Sequence, residues 1–295
     1  MKIKIKKILI LSFLTFFLIN IFKYSDIVTS STINAIDLWL KKIFPSLFIM
    51  FIINDLIINT DSYLILVKIF GLKNNKYIAF LLSLFSGTPA NAFIIKELLE
   101  QKKISLEDAN NLLMYSYFSN PLFLYNILSL IFSKLIVIKL ISIHYLSNIL
   151  ICIFLNNKSN NYLKISTSNY SFFNLLEKSI KKSITTLFMI LGTITFFMIT
   201  SNIIINITNP SSVTRIIIKG IFEITQSLND LIYLKSNLIV KEILGISIIS
   251  FGGLSIHMQV FSIISDTKIK YIYFLKGRII GLLISILLLL ITFVL

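Results

Sequence analysis

The chain contains one cysteine, Cys152, among 295 residues. A single cysteine excludes a disulfide framework and a metal site built from several thiolates within one chain. Because Cys152 lies in an apolar run, we interpret it as a small buried hydrophobic side chain. The sequence also lacks H-E-x-x-H, a phosphate-binding G-x-x-x-x-G-K-[ST] loop and a G-x-S-x-G elbow. It therefore predicts a protein that is not an enzyme and that needs no cofactor or metal.

Acidic residues are scarce as well, since 13 Asp and Glu stand against 28 Lys and Arg, for a net charge of +15. A basic excess can indicate nucleic-acid binding. Here, however, the lysines lie in short loops between apolar runs, where they indicate membrane topology. The predicted partner of the basic residues is thus the lipid bilayer, and no nucleic acid is expected.

Long polar stretches are rare, and 56% of the residues are hydrophobic, with a mean hydropathy of +0.88. Several runs of about 18 or more mostly apolar residues are long enough to cross a bilayer as helices. The fold class is therefore predicted to be an all-α polytopic membrane protein. The oligomeric state, including a homo-oligomer, stays open.

The N-terminus begins with lysines and continues into an apolar stretch, as a signal peptide does. No A-x-A cleavage site follows and further apolar runs do, so we expect a retained first helix with a cytoplasmic N-terminus. The mixed polar and apolar segment after it is expected to lie in the membrane interface, with Trp39 as its anchor.

The most polar stretch, residues 156–171, divides the rest of the chain. We therefore predict four units. They are an N-terminal membrane helix with an interfacial segment (1–34), a first half (35–155), the polar linker (156–171) and a second half (172–295).

Apolar segments in both halves are interrupted at glycine or proline. Residues 77–86 and 89–99 are each about 15 Å long as helices, too short for a hydrocarbon core of about 30 Å. They form either one kinked helix or a hairpin that enters and leaves on one side. A second break lies at Ser119-Asn120-Pro121, and a third lies in "SFGGLSIHMQ". When Phe85 is aligned with Phe251, the sequences of the two halves resemble each other.

A broken helix leaves backbone groups unpaired, which costs several kcal/mol each in hydrocarbon. Inward-facing helix N-termini carry partial positive charge, so they suit a carboxylate or a polar ring substituent. Paired interrupted segments in two halves indicate a transporter with a central site; the alternative is that the kinks are only structural. The candidate substrate-binding residues, with the last two completing the site or coupling an ion, are Ser86, Gly87, Thr88, Pro89, Asn91, Ser119, Asn120, Pro121, Gly252, Gly253, Ser255, His257, Gln259, Glu223 and Thr225.

Ionisable residues inside apolar segments are costly, at about 2.5 kcal/mol or more each. Glu223 is either part of the site or an interfacial carboxylate paired with a lysine. Asp55 lies in an apolar run without an obvious partner. Lys139 is expected to extend toward the interface. Arg278, at the start of the last helix, is expected to be a topology anchor, and the alternative is a contact with an anionic ligand.

At these breaks the chain resembles a known family. "SGTPANAFIIKELLEQKKISLEDANNLLMYSYFSNPLF", followed by "FEITQSLNDL" and "FGGLSIHMQ", is similar to the signature of the YlbJ-type sporulation integral membrane proteins. That family usually has G-A-K after the first proline, whereas this chain has Asn91-Ala92-Phe93. The family belongs with the nucleoside-recognition gate-domain proteins, which are similar to concentrative nucleoside transporters.

The resemblance implies two halves whose re-entrant hairpins line a central substrate site. It also implies a role in endospore formation, namely movement of dipicolinic acid, a small anionic aromatic solute, across the outer forespore membrane. Two alternatives stay open. One is a non-transporting membrane scaffold needed for spore cortex or envelope assembly, and the other is a carrier of a nucleoside-like solute.

Overall fold

The computed structural model describes residues 2–69, 75–155 and 171–294, and this part of the chain is helical, with no strand. Most of the predicted linker, residues 156–170, lies outside the described residues. The helices are α1 (Lys2–Lys23), α2 (Ser25–Leu38), α3 (Phe44–Asn59), α4 (Tyr63–Ile69), α5 (Asn75–Ser86), α6 (Ala90–Glu100), α7 (Leu106–Tyr115), α8 (Pro121–Leu128), α9 (Lys134–Leu155), α10 (Phe172–Thr208), α11 (Ser212–Phe222), α12 (Ile224–Tyr233), α13 (Leu238–Phe251), α14 (Gly253–Ile264) and α15 (Tyr271–Val294), with a π-helical turn, Trp39–Ile43, between α2 and α3.

Four helical stretches of the described chain are long and apolar enough to cross a membrane: Lys134–Leu155, Phe172–Thr208, Leu238–Ile264 and Tyr271–Val294. A sharply bent pair, Lys7–Lys23 with Ser25–Asn59, passes the same test together and raises the number to five. The prediction of an all-α polytopic membrane protein is confirmed. α10 is 37 residues long because a basic segment with Lys178, Lys181 and Lys182 forms one continuous helix with the apolar residues that follow it.

Only one side of the segment expected to lie in the membrane interface packs against the protein, because Ser31 and Ala35 of α2 are buried and most of its other residues are exposed. α2 runs along α10, and Trp39 is buried. The indole Nε1 of Trp39 donates a hydrogen bond to the Leu187 carbonyl at 2.9 Å. The prediction that Trp39 anchors the chain at the interface is therefore wrong, because α10 covers the ring.

The interrupted segments are of two kinds. The two arms of α5–α6 pack against each other, and so do those of α11–α12, so each pair is a helical hairpin. α7 and α8 are joined instead by non-helical backbone at residues 116–120, and α13 continues into α14 through two glycines with positive φ, Gly252 (+90°) and Gly253 (+67°). Each half therefore contains a hairpin followed by an interrupted helix. Aligning Phe85 with Phe251 pairs a hairpin tip with an interrupted helix, which are unlike features.

Buried charges find partners on neighbouring helices. Asp55 of α3 accepts a hydrogen bond from Ser179 Oγ at 2.5 Å and lies 3.3 Å from Lys182 Nζ, so it does have partners. Lys139 of α9 pairs with the buried Glu242 of α13 at 2.5 Å rather than only extending toward the interface. These contacts join helices that are far apart in sequence, and sequence spacing does not reveal them.

Candidate solute-binding cleft

The first two breaks are in direct contact. The Thr88 amide donates to the Phe118 carbonyl at 2.7 Å. Gly87 has φ +75°, and a Cβ placed on it would lie 2.6 Å from the Asn120 backbone nitrogen. Only glycine fits there, because both the backbone conformation and the available space exclude a side chain. The tip of the α5–α6 hairpin thus packs against the non-helical segment between α7 and α8.

The third break joins the same group. A Cβ on Gly252 would overlap the Tyr117 hydroxyl of the second break and lie 3.0 Å from the Cζ of that ring. A Cβ on Gly253 would lie 3.2 Å from the Gly220 carbonyl of the α11–α12 hairpin. Tyr117 also donates to the Ile249 carbonyl at 3.3 Å. The two hairpins and the two interrupted helices therefore meet at one place.

α9 supports the non-helical segment of the second break. The Ser119 amide donates to His144 Nε2 at 3.2 Å, and the Tyr145 hydroxyl donates to the Ser119 carbonyl at 3.0 Å. Non-helical backbone inside a membrane protein must find such partners. No sequence motif indicates His144, yet it satisfies the backbone that the break exposes.

A cleft of about 80 Å³ lies where the breaks converge. Its walls come from both halves of the chain and from the junction of α2 and α3. Seven of the predicted site residues line it: Thr88, Pro89, Ser119, Asn120, Glu223, Thr225 and Gln259. The remaining lining residues, which the sequence did not indicate, are Lys42, Ile43, Ser46, Leu47, Phe123, Ile190, Ile194, Ile224 and Ile256.

Four half-helices, α6, α8, α12 and α14, begin at these breaks. Two of them are capped by their own side chains. Asn120 Oδ1 accepts from the Leu122 and Phe123 amides at the start of α8, and Glu223 Oε2 accepts from the Gln226 amide at 2.9 Å at the start of α12. α6 and α14 have no side-chain cap. Among the described residues, the buried Thr88 hydroxyl at the start of α6 has no hydrogen-bond partner.

The other predicted site residues hold the breaks together rather than line the cleft. Asn91 donates to the Ser116 carbonyl at 3.0 Å, and Ser86 accepts from Asn54 at 2.8 Å. His257 lies between the Tyr271 hydroxyl at 2.7 Å and the Phe251 carbonyl at 3.1 Å. The residues with such structural contacts or backbone roles are Ser86, Gly87, Asn91, Pro121, Gly252, Gly253, Ser255 and His257.

Glu223 is buried and caps α12, and no lysine or arginine of the described chain forms an ion pair with it. The alternative that it is an interfacial carboxylate paired with a lysine is therefore wrong. Lys219, the nearest basic residue before it, pairs with Asp230 instead at 2.7 Å. Glu223 lines the cleft together with the helix start that it caps.

Arg278 is not a topology anchor, because its side chain is fully buried beneath the second and third breaks. The guanidinium stacks 3.8 Å above the Tyr117 ring centroid and donates to Asn148 Oδ1 at 2.8 Å. It also reaches the Met114 and Ser250 carbonyls. In the described residues no carboxylate pairs with it. Its neighbours lie on three helices, α7, α9 and α13, and on the segment between α7 and α8, which only the fold brings together.

Comparison with known proteins agrees with the motifs. No protein-family model and no solved structure matches the chain. The chain is similar to the "Sporulation integral membrane protein YlbJ" of Bacillus subtilis (strain 168), with 23% identity over 329 aligned residues, which cover 93% of this chain and 80% of that protein. This similarity along nearly the whole chain confirms the YlbJ-type resemblance that the sequence motifs predict.

Proposed function

We propose that this protein is a sporulation membrane carrier that moves a small anionic aromatic solute of the dipicolinate class across the outer forespore membrane. The observation that carries the proposal is the convergence of three half-helix starts, those of α6, α8 and α12, from both halves of the chain, on one cleft that α14 also lines through Ile256 and Gln259. Transporters place their substrates at such breaks, where helix N-termini point at anionic groups. The similarity to a sporulation protein supports the cellular setting.

The chemistry of the cleft favours an anion with a flat apolar body. The uncapped start of α6 offers partial positive charge, and the unpartnered Thr88 hydroxyl can donate a hydrogen bond. A ring carboxylate would meet donors at its charged edge and isoleucines at its faces. Glu223 and Asn120 cap the starts of α12 and α8, which leaves the uncapped start of α6 for the solute. The apolar walls are supplied by Ile190, Ile194, Ile224 and Ile256.

The test is uptake of labelled dipicolinate into proteoliposomes that contain the purified full chain, with uridine measured in parallel. Ile194→Trp places a large indole ring in the cleft, and this ring must be displaced before a solute can enter. We expect the initial rate to fall at least about tenfold. Ile207→Trp is the matched control, because Ile207 lies on the same helix but is 45% exposed.

Each outcome separates the alternatives. Saturable dipicolinate uptake that Ile194→Trp abolishes and Ile207→Trp preserves supports the carrier and its cleft. Uptake of uridine without dipicolinate selects the nucleoside-like carrier. If the inserted, monodisperse protein takes up neither solute, the transport proposal fails and the membrane scaffold, which predicts that the polar linker matters more than the breaks, takes its place.

A further inference from the structure

Lys42 lies on the π-helical turn Trp39–Ile43, at the junction of α2 and α3. π-Helical turns are uncommon and often occur at functional sites. This one is fixed to α10 by the hydrogen bond from Trp39 to the Leu187 carbonyl and by the Trp39 ring, whose centroid lies 5.6 Å from that of Phe188. The backbone that carries Lys42 is therefore held firmly against the wall of the cleft.

The Lys42 side chain lies where three cavities adjoin. It lines the central cleft, a polar cavity of about 350 Å³ beside α12, and a cavity of about 520 Å³ beside α8. The side chain is solvent-exposed, so its ammonium is accessible to a solute approaching through either of the last two cavities. We call these two the outer cavities of the cleft.

Neighbouring cations in the outer cavities are already neutralised. Lys41 pairs with Asp37 at 2.5 Å, and Lys219 pairs with Asp230 at 2.7 Å. Within the described part of the chain, Lys42 has no carboxylate within ion-pair distance. Lys42 is thus the lining cation whose charge is left for another anion.

We propose that Lys42 is a binding residue for one carboxylate of an aromatic dicarboxylate, at the mouth of the cleft, while the start of α6 receives the second. This inference rests on the proposed function and adds a determinant of specificity to it. A lysine ammonium recognises a carboxylate as a point charge, and charge-assisted hydrogen bonds are stronger than neutral ones. Two separate positive ends explain why a dicarboxylate would be preferred over an acid with one carboxylate.

The experiment measures binding of dipicolinate and of picolinate, which has a single carboxylate, to the detergent-solubilised full chain by calorimetry. Fluorescence of Trp39, the sole tryptophan, gives a second signal three residues from Lys42. For Lys42→Gln we expect the dissociation constant of dipicolinate to rise at least about tenfold, because a hydrogen bond to a charged group is lost. We also expect the preference for dipicolinate over picolinate to disappear, and Lys42→Arg, which keeps the charge, to restore most of it.

Lys41→Gln is the matched control, because Lys41 is the adjacent lysine and lines both outer cavities but not the cleft. The role of Lys42 is overturned if Lys42→Gln keeps the preference for the dicarboxylate, or if Lys41→Gln loses that preference equally. In either case, binding of dipicolinate by the wild-type chain still upholds the proposed function. If the wild-type chain binds neither acid, both proposals fail.

Discussion

Gly87 and Asn120 are in such close contact that a Cβ on the glycine would lie 2.6 Å from the asparagine backbone nitrogen. The two residues belong to different breaks, one at the tip of a hairpin and one before an interrupted helix. Their contact sets the distance between the starts of α6 and α8, and hence the width of the cleft. A substitution at Gly87 is therefore the most direct test of how the two breaks pack together.

We expect Gly87→Ala to destabilise the protein by about 1–3 kcal/mol, because the substitution adds a clash with backbone to the strain of a positive φ. Gly192→Ala is the control, since Gly192 lies inside α10 and a methyl group there would have no neighbouring atom within 4 Å. Alanine favours helix there by roughly 0.5–1 kcal/mol. Thermal unfolding in detergent distinguishes the two, and equal melting temperatures would contradict the contact.

A second pair of glycines tests how α15 packs on α7. A Cβ on Gly277 would overlap the Met114 carbonyl oxygen and lie 2.8 Å from its carbon, whereas the nearest atoms to one on Gly281 are at 3.7 Å. We expect Gly277→Ala to force the helices apart and to cost at least about 3 kcal/mol. Gly281→Ala, one turn further along the same helix, should be nearly neutral. The yield of monodisperse protein and its melting temperature are the measurements, and a tolerated Gly277→Ala would show that the two helices are not so close.

Because the Arg278 guanidinium is buried, we expect that removing its partner Asn148 lowers the free energy of unfolding more than removing the charge itself does. Asn148→Leu removes its 2.8 Å acceptor but leaves the charge buried, which should cost about 3–5 kcal/mol. Arg278→Met removes the charge and retains much of the volume, so we expect a smaller loss, within about 1–3 kcal/mol, from the amide oxygen left without a donor.

The double variant Arg278→Met with Asn148→Leu separates these effects. Its unfolding free energy should be closer to that of Arg278→Met than to the value given by the sum of the two single losses, because the buried charge is then absent. Additive losses would mean that the guanidinium and the amide do not interact. Denaturant unfolding of all three variants in the same detergent provides the comparison.

The sequence by itself determined the membrane class, the helical composition and the positions of three of the breaks, whereas the break at Glu223 between α11 and α12 was not predicted. Apolar runs, glycines and prolines are local features of the sequence, so each can be interpreted without knowing the fold. Apolar runs form helices because backbone N–H and C=O groups must be hydrogen-bonded within hydrocarbon. The motifs around Gly87, Asn120 and Gly253 were also sufficient for the YlbJ-type resemblance, which the comparison with the Bacillus subtilis protein confirms.

Only the tertiary structure decided which breaks are hairpins, which predicted residues reach the cleft and which merely support it. In the sequence, Lys42 looks like any other lysine that indicates membrane topology, and Arg278 looks like an anchor at the end of a helix. Their roles depend on α10, which covers Trp39 and holds the turn that carries Lys42, and on α7 and α9, which enclose the guanidinium. Contacts between residues more than a hundred positions apart leave no local periodicity, so the chain must fold before they can be seen.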